Sequence, residues 1–548
     1  MTKESWLAAN TLTPDKVALA RRVVDDVRRG RDLGDSLRAH ALSGGGVLGK
    51  SFLVAAYNEM LADGTLTADT SLLEQLRMKP VRTLSGVTTV TVLTKPYPCP
   101  GKCIFCPTDV RMPKSYLPDE PGAMRGVEHN FDPYAQVRSR LTQLETLGHP
   151  TDKIELLILG GTWSSYRRDY QEWFVARCFE AMNKIENLST DLADYADIKN
   201  ENLQNQRNLR MIHSSNESAS HRNVGLVIET RPDEITPDEL RWLRHLGVTK
   251  VQLGAQSLDD HILEINQRGH DAATTHRAVS LLRAAGFKVV LHWMPNLLGA
   301  TPASDRVDFA KLWDGLCPDE IKIYPNQLLA NAELYEYWQR GEFQPYTTPE
   351  LIDLIADIKP SIPRYCRVNR VIRDIPSTRV VEGNRRTSLR QDIQAEMKRR
   401  GTHCECVRCR EVRGKSIDIA SLRLDDLVYQ TDSAEEHFLS FVTPDDKLAG
   451  FIRLSLPNEN SPATAMSDLD NAALIREVHV YGQSLPVGAD REGSAQHVGL
   501  GTRLLSEADT IARAHGFQKM AVISAVGTRG YYLERGFDRG EFYLVKSL

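Results

Sequence analysis

The sequence predicts an α/β fold: a partial (β/α)6 barrel followed by a separate α+β domain, with a helical N-terminal segment. Three observations carry this. Six short apolar runs alternate with amphipathic segments through the first two-thirds of the chain, the pattern of a parallel sheet covered by helices. After about Asp418 the rhythm changes to antiparallel-type strands around one strong amphipathic helix. At 548 residues the chain is too long for one core.

Residues 1–80 read as helical, with "VALARRVVDDVRRGRDLGDSLRAH" mixing apolar and arginine positions. The barrel is expected over 81–358. Its strands are "VTTVTVL" (87–93), "IELLIL" (154–159), "VGLVIE" (224–229), "KVQL" (250–253), "FKVVLHW" (287–293) and "EIKIY" (320–324). Intervening segments such as "TPDELRWLRHLG" end in Gly, a common helix stop. Between Asn183 and Asn223 the pattern dissolves into polar residues, read as a mobile insertion, most simply a linker. Residues 359–418 form a basic linker. Residues 419–548, with "HFLSFV", "LAGFIRL", "IREVHVYG" and "KMAVIS", form the α+β domain.

No run of eighteen apolar residues exists, so no membrane span is expected. The N-terminus lacks the basic-then-apolar order of a secretory signal, so a cytoplasmic location is expected. There thiols stay reduced, and clustered cysteines bind metal more readily than they pair. A net charge of −4 argues against a general polyanion binder. Locally, however, Lys359 to Lys415 holds sixteen Lys/Arg against six Asp/Glu. Arg364, Arg367, Arg370, Arg373, Arg385, Arg386, Arg390, Lys398, Arg399 and Arg400 belong to this stretch. It reads either as a nucleic-acid backbone grip or as a solvated surface balanced by acids elsewhere.

Barrels of this kind carry their chemistry on the loops after the strands. The first such loop, "KPYPCPGKCIFCPTD", packs Cys99, Cys103 and Cys106 into eight positions, in a chain with nine cysteines. Structural zinc needs four ligands, and this loop offers three. Three thiolates can instead hold three irons of a 4Fe–4S cluster and leave the fourth open to a small molecule. A zinc knuckle borrowing a distant ligand is the alternative. The order Cys-x3-Cys-x2-Cys, with Phe105 before the last cysteine, resembles the radical S-adenosylmethionine enzymes, in which that iron chelates S-adenosylmethionine.

The other strand ends are read beside it. Gly160 and Gly161 allow close backbone approach to such a ligand. Glu229 is placed to meet its polar groups, or to cap the next helix. Gln256 is a candidate cofactor contact, and Lys322 and Tyr324 are candidate catalytic residues; each also has a purely structural reading. In the last domain, Gln496, His497, Val498, Gly499, Leu500, Gly501 and Thr502 lead straight into a helix. Free N–H groups and the helix dipole there suit the pyrophosphate of coenzyme A. With "KMAVIS" and "GTRGYYLERGF", this segment resembles the GNAT acetyltransferases. In those a tyrosine protonates the departing thiolate, and Tyr531 and Tyr532 match its position. Glu477 stands where such enzymes carry a catalytic or water-positioning carboxylate, or else it forms a salt bridge with Arg476 or another neighbour.

"CPGKCIFCP", "LGGTW", "IETRPD", "LGAQSLDD", "NQRGH", "HWMPNL", "KIYP", "RVIRDIP", "REVHVYG" and "QHVGLGT" occur in this order. From about Pro80 onward the chain thereby resembles the Elongator catalytic-subunit family, of bacterial or archaeal type. The resemblance implies a radical S-adenosylmethionine barrel fused to a GNAT domain. It implies carboxymethylation of C5 of the wobble uridine in tRNA, with a 4Fe–4S cluster, S-adenosylmethionine and acetyl-CoA. The basic stretch would then hold the anticodon stem-loop, and the helical residues 1–80 become a candidate tRNA contact. Cys404, Cys406 and Cys409 are read as a zinc clip, with His403, Cys317, Cys366 or water as fourth ligand. A monomer or homodimer without obligate Elongator partners is expected. The competing readings are a protein lysine N-acetyltransferase and a catalytically dead tRNA-binding scaffold.

Overall fold

The computed structural model describes residue 11 and residues 13–42, 45–78, 83, 85–184, 202–413, 417–481 and 499–548, the side chains of 202–208 excepted. Seven strands form the first sheet in sequence order. They are β1 (Thr88–Leu93), β2 (Lys153–Leu159), β3 (Arg222–Thr230), β4 (Lys250–Gln256), β5 (Lys288–Trp293), β6 (Glu320–Ile323) and β7 (Arg367–Arg370). Every neighbouring pair is parallel, so each connection is a helical crossover. The expected barrel class holds, with one strand more than the six apolar runs announced. β7 reads "RVNR", too short and polar to show as a strand, and it carries the sheet past the expected boundary at 358 into the basic stretch.

Where the expected insertion covers 183–223, residues Asn202–Asn216 form a helix, and β3 begins at Arg222. Leu209 and Ile212 of that helix are buried in the barrel core. Its second half is therefore a packed element rather than a linker; 185–201 lie outside the described residues.

The second sheet holds β8 (Arg423–Gln430), β9 (Ala434–Val442), β10 (Leu448–Pro457), β11 (Ala472–Val480), β12 (Lys519–Val522), β13 (Asp538–Arg539) and β14 (Leu544–Ser547), in the order β13-β14-β12-β11-β10-β9-β8. Only β11–β12 is parallel, and the helix Leu500–Ala514 lies on the crossover between them. Among the described residues, four helices, Pro14–Arg28, Leu33–Ala39, Lys50–Ala62 and Thr70–Leu76, precede the barrel and share a core of their own. No described helix is long and apolar enough to cross a membrane.

The second sheet closes the end of the barrel where the strands begin. Tyr543 donates to the carbonyl of Ala285, just before β5, at 2.7 Å. Gly286 turns there at φ +75°, and a Cβ on it would lie 3.3 Å from Leu474 of β11. Register slips between β10 and β11 so that Arg453 faces Glu477 and Leu454 faces Ile475, leaving Arg476 as an extra residue. A regular strand sends consecutive side chains to opposite faces, and a bulge relaxes that rule. Both Arg476 and Glu477 accordingly reach the barrel. Arg476 binds Asp319 at 2.7 Å, and Glu477 pairs with Lys288. Apolar side chains of barrel and second sheet merge into one core.

Candidate active site

The thiol loop leaves β1 at Thr94, whose hydroxyl lies 2.7 Å from the Tyr166 hydroxyl. Gly160 ends β2 against the same residue. A Cβ there would fall 1.7 Å from Thr94 Oγ1, so only glycine fits. Gly161 follows at φ +85°. Cys99 Sγ lies 3.4 Å from Thr162 Oγ1, and Cys103 is hydrogen-bonded to Cys106. Arg268 Nη1 donates to Cys103 Sγ at 3.4 Å. The Cys106 hydrogen bond first, then Arg268 and Arg231, hold the Cys103 thiol down at about 5 against the effect of burial.

Arg231 and Arg268 are both buried, and Arg231 Nη1 and Arg268 Nε have no hydrogen-bond partner. Orphaned cationic donors next to three thiols are an unfavourable burial unless an anionic group shares the space. A thiolate-ligated iron–sulfur cluster fits that donor set and that charge.

Around this loop stand the other strand ends. Glu229, at the end of β3, accepts from the Tyr116 hydroxyl at 2.6 Å and from Lys322 Nζ at 3.0 Å. Burial pushes its carboxyl up, but Lys322, His292 and Tyr116 outweigh that and hold it at about 2. Lys322 thus serves as the buried counter-charge of Glu229, and Tyr324 offers its ring 5.6 Å from the ammonium. His292 is pushed down to about 3 by burial and by Lys322, so it stays neutral. Gln256 adopts φ +71°, and its buried Oε1 has no partner. Arg231, Arg268, Tyr116 and His292 carried no role in the sequence reading; "IETRPD" and "NQRGH" contain the two arginines without revealing that they meet the thiols.

At the far end of the barrel, Gly499 caps the helix Leu500–Ala514 at φ +71°. Tyr531 Oη would lie 2.5 Å from a Cβ on Gly501, and its ring stacks on the Arg535 guanidinium at 3.7 Å. Arg535 also donates to Thr502 Oγ1 at 3.1 Å. Burial raises the Tyr531 hydroxyl, which stays protonated at neutral pH. Tyr532 instead packs in the core, edge-on to Phe537. Gln496, His497 and Val498 lie outside the described residues. Glu477 takes the salt-bridge reading, with Lys288 and Arg453 as partners in place of the neighbouring Arg476. Burial is outweighed by those two cations, and its carboxyl sits well below the usual range. So weak a base suits orientation of a bound group better than proton removal.

A single cavity of about 1660 Å³ joins the two ends. Cys99, Cys103 and Cys106 line one end, and Glu477, Tyr531 and Arg535 the other. Between them the wall is charged: Lys250 binds Glu155 at 2.7 Å and Glu320 at 3.3 Å.

The basic stretch divides. Arg367 pairs with Glu411 and lies 3.2 Å from the Tyr481 hydroxyl, Arg373 binds Glu120 at 2.9 Å, and Arg364 binds Asp446 at 2.5 Å. Arg370 binds Asp374 at 2.5 Å, and Arg400 binds Asp353 at 2.8 Å and Asp357 at 2.5 Å. These arginines are structural cations as much as surface ones. Lys398, Arg385, Arg386 and Arg399 are exposed, the last two in ion pairs with Asp392 and Glu396.

Cys404, Cys406 and Cys409 bring their sulfurs within 4.8 Å of one another. Lys359 is buried, acts on all three thiols, and its Nζ lacks a hydrogen-bond partner. A metal held by thiolates fits that charge. Among the described residues no fourth ligand joins the group. His403 is exposed beside Glu405, and Cys317 donates to the carbonyls of Trp313 and Gln430.

Comparisons with known proteins agree with this geometry. The Radical SAM superfamily matches residues 97–312, and the Radical_SAM C-terminal domain residues 318–399. The tRNA uridine(34) acetyltransferase of Methanocaldococcus jannaschii is 37% identical over 97% of each chain. That of Dehalococcoides mccartyi is 39% identical over 85% of this chain and 99% of its own, and Elongator complex protein 3 of Mus musculus is 34% identical over 87% of each. The solved structure of archaeal Methanocaldococcus infernus Elp3 with an N-terminal deletion matches with a TM-score of 0.71 at 36% identity, over 85% of this chain and 100% of that one.

Proposed function

The chain belongs to the family of the tRNA uridine(34) acetyltransferases and Elongator complex protein 3, and from that premise we propose that it carboxymethylates C5 of the wobble uridine in tRNA, with acetyl-CoA as the source of the added carbons. It is an acyltransferase built on a radical S-adenosylmethionine barrel. Cys99, Cys103 and Cys106 would hold the 4Fe–4S cluster, and Gly160, Gly161, Glu229 and Gln256 would receive S-adenosylmethionine. Once bound, these supply a 5′-deoxyadenosyl radical, strong enough to take hydrogen from an unactivated methyl group.

The chain's own residues do the rest. Gly499 to Thr502 would hold the pyrophosphate of coenzyme A at a helix start, and the sequence motif adds Gln496, His497 and Val498. Tyr531 keeps its proton at neutral pH and delivers it to the leaving sulfur, while Arg535 fixes the ring. Glu477, anchored by Lys288 and Arg453, orients the acyl group or a water. Lys322 keeps Glu229 charged and in place. Lys398, Arg385, Arg386 and Arg399 meet tRNA phosphates. The cysteine group at 404–409 clips the stretch to the barrel through zinc. The 1660 Å³ cavity carries the reading: it gives the thioester end and the thiol end one continuous space.

The test is anaerobic reconstitution of the cluster, then incubation with S-adenosylmethionine, acetyl-CoA and tRNA, with nucleosides read by mass spectrometry. 5-Carboxymethyluridine is expected, and Cys103→Ser abolishes it. Absence of the product from several tRNAs despite a verified cluster would overturn the reading. Full acetyl transfer to protein lysines by Cys103→Ser would point to the lysine acetyltransferase instead.

A further inference from the structure

On the outer part of the second sheet, away from both ends of the cavity, three unused side chains converge. Glu435 and His437 sit two apart on β9 and so share a face. His515 closes the C-terminal end of the helix Leu500–Ala514 above that face. His437 Nε2 lies 3.3 Å and His515 Nε2 3.2 Å from Glu435 Oε1, and the three atoms are all within 4.8 Å of one another.

Each of these groups is also held from behind. His437 Nδ1 lies 2.9 Å from Asp426 Oδ2, and His515 Nδ1 2.8 Å from the Ile511 carbonyl. Both partners can only accept, so each Nδ1 carries a hydrogen, and each Nε2, within hydrogen-bond distance of Glu435 Oε1, is the ring atom left for a metal, which binds by displacing the proton shared with that oxygen. Gln430 donates to Glu435 Oε2 at 2.7 Å, which frees Oε1 for the same point. Gln430 stands opposite Glu435 in the β8–β9 register, and Asp426 lies on the same face of β8. Ligands fixed from behind by a carboxylate, a carbonyl and an amide are what a metal site requires beyond its first ring of atoms.

We propose that Glu435, His437 and His515 bind a divalent transition metal of the zinc class. Two imidazoles and one carboxylate are borderline donors that favour zinc, cobalt or nickel over magnesium or calcium. With Glu435 31% and His515 44% exposed, a fourth position stays open to water. The ion staples β9 to the end of the helix whose start carries Gly499, Leu500, Gly501 and Thr502. It is independent of the thiol group at 404–409, which offers sulfur only.

Full-length protein, cleared of metal with chelator and checked for fold by circular dichroism, is titrated with zinc and then with cobalt. His515→Gln alters an exposed side chain, and Glu435→Gln gives a second variant of nearly the same shape. The wild type is expected to bind about one zinc more than either variant, and Cys406→Ser to retain that ion. The cobalt difference spectrum, wild type minus His515→Gln, is expected to show visible ligand-field bands without thiolate charge transfer. Equal zinc binding by wild type and both variants would overturn the site, and so would a difference spectrum dominated by thiolate bands.

Discussion

Tyr531 and Tyr532 are adjacent in the chain yet serve opposite ends of the residue scale. Helical turn Arg529–Leu533 points one hydroxyl at Gly501 and sinks the other ring against Phe537. Tyr531→Phe is therefore expected to keep the fold and slow the acetyl-CoA-dependent reaction by roughly 100-fold, the size of a lost proton donor, measured as product per turnover with S-adenosylmethionine cleavage unchanged. Unchanged product formation would remove the proton role from Tyr531. Gly160 is as strictly placed. With Thr94 Oγ1 1.7 Å from any Cβ, Gly160→Ala must push β1 and β2 apart at the thiol loop. A cost of about 1–3 kcal/mol is expected from such overpacking, read by denaturant unfolding beside loss of S-adenosylmethionine cleavage.

Among elements, β11 is the decisive one. Its bulge turns Arg476 and Glu477 together onto the barrel, and neither charge is left in water. Arg476 bridges Asp319 of the barrel and Glu436 of β9, all three fully buried. Arg476→Met would leave Asp319 with Arg453 and Glu436 with Arg283 as their remaining cations, so a loss of up to about 3–5 kcal/mol is expected, measured as the shift in urea midpoint. A loss below about 1 kcal/mol would mean that water reaches the pair. β7 makes the complementary point. Four residues, "RVNR", become a strand because β6 offers a free edge, not because their own pattern demands it. Apolar runs made the first six strands legible, and nothing local could announce the seventh.

For the whole molecule, one core spans barrel and second sheet, while the four N-terminal helices keep a separate one. Buried carboxylates with folded values below their unfolded ones hold the joint core together: Glu229 at about 2 within the barrel, with Asp319 and Glu477, further depressed, paired across to the other sheet. Depressed carboxylates stabilise fully above their unfolded value and lose that contribution as pH falls through the folded one. Buried His292, neutral in the fold at about 3, works the same way from a higher starting point, so stability measured by denaturant unfolding is expected to decline as pH falls below about 6.5 and to drop more steeply between about 4 and 2. A flat profile down to pH 2 would show that these charges do not tie the domains.

The sequence by itself determined the parallel barrel, the place of the chemistry at the strand ends, the three-thiol spacing and the helix start at Gly499. Those features are written in runs and spacings of a few residues. Tertiary structure alone decided that the thiol loop and Tyr531 share one cavity, and that Arg367, Arg373 and Arg476 spend their charge on carboxylates distant in the chain. It alone brought His515 to Glu435 and His437. The physical reason is that periodicity reports which face a residue takes, whereas its partner across that face is chosen by packing between segments that local pattern does not connect.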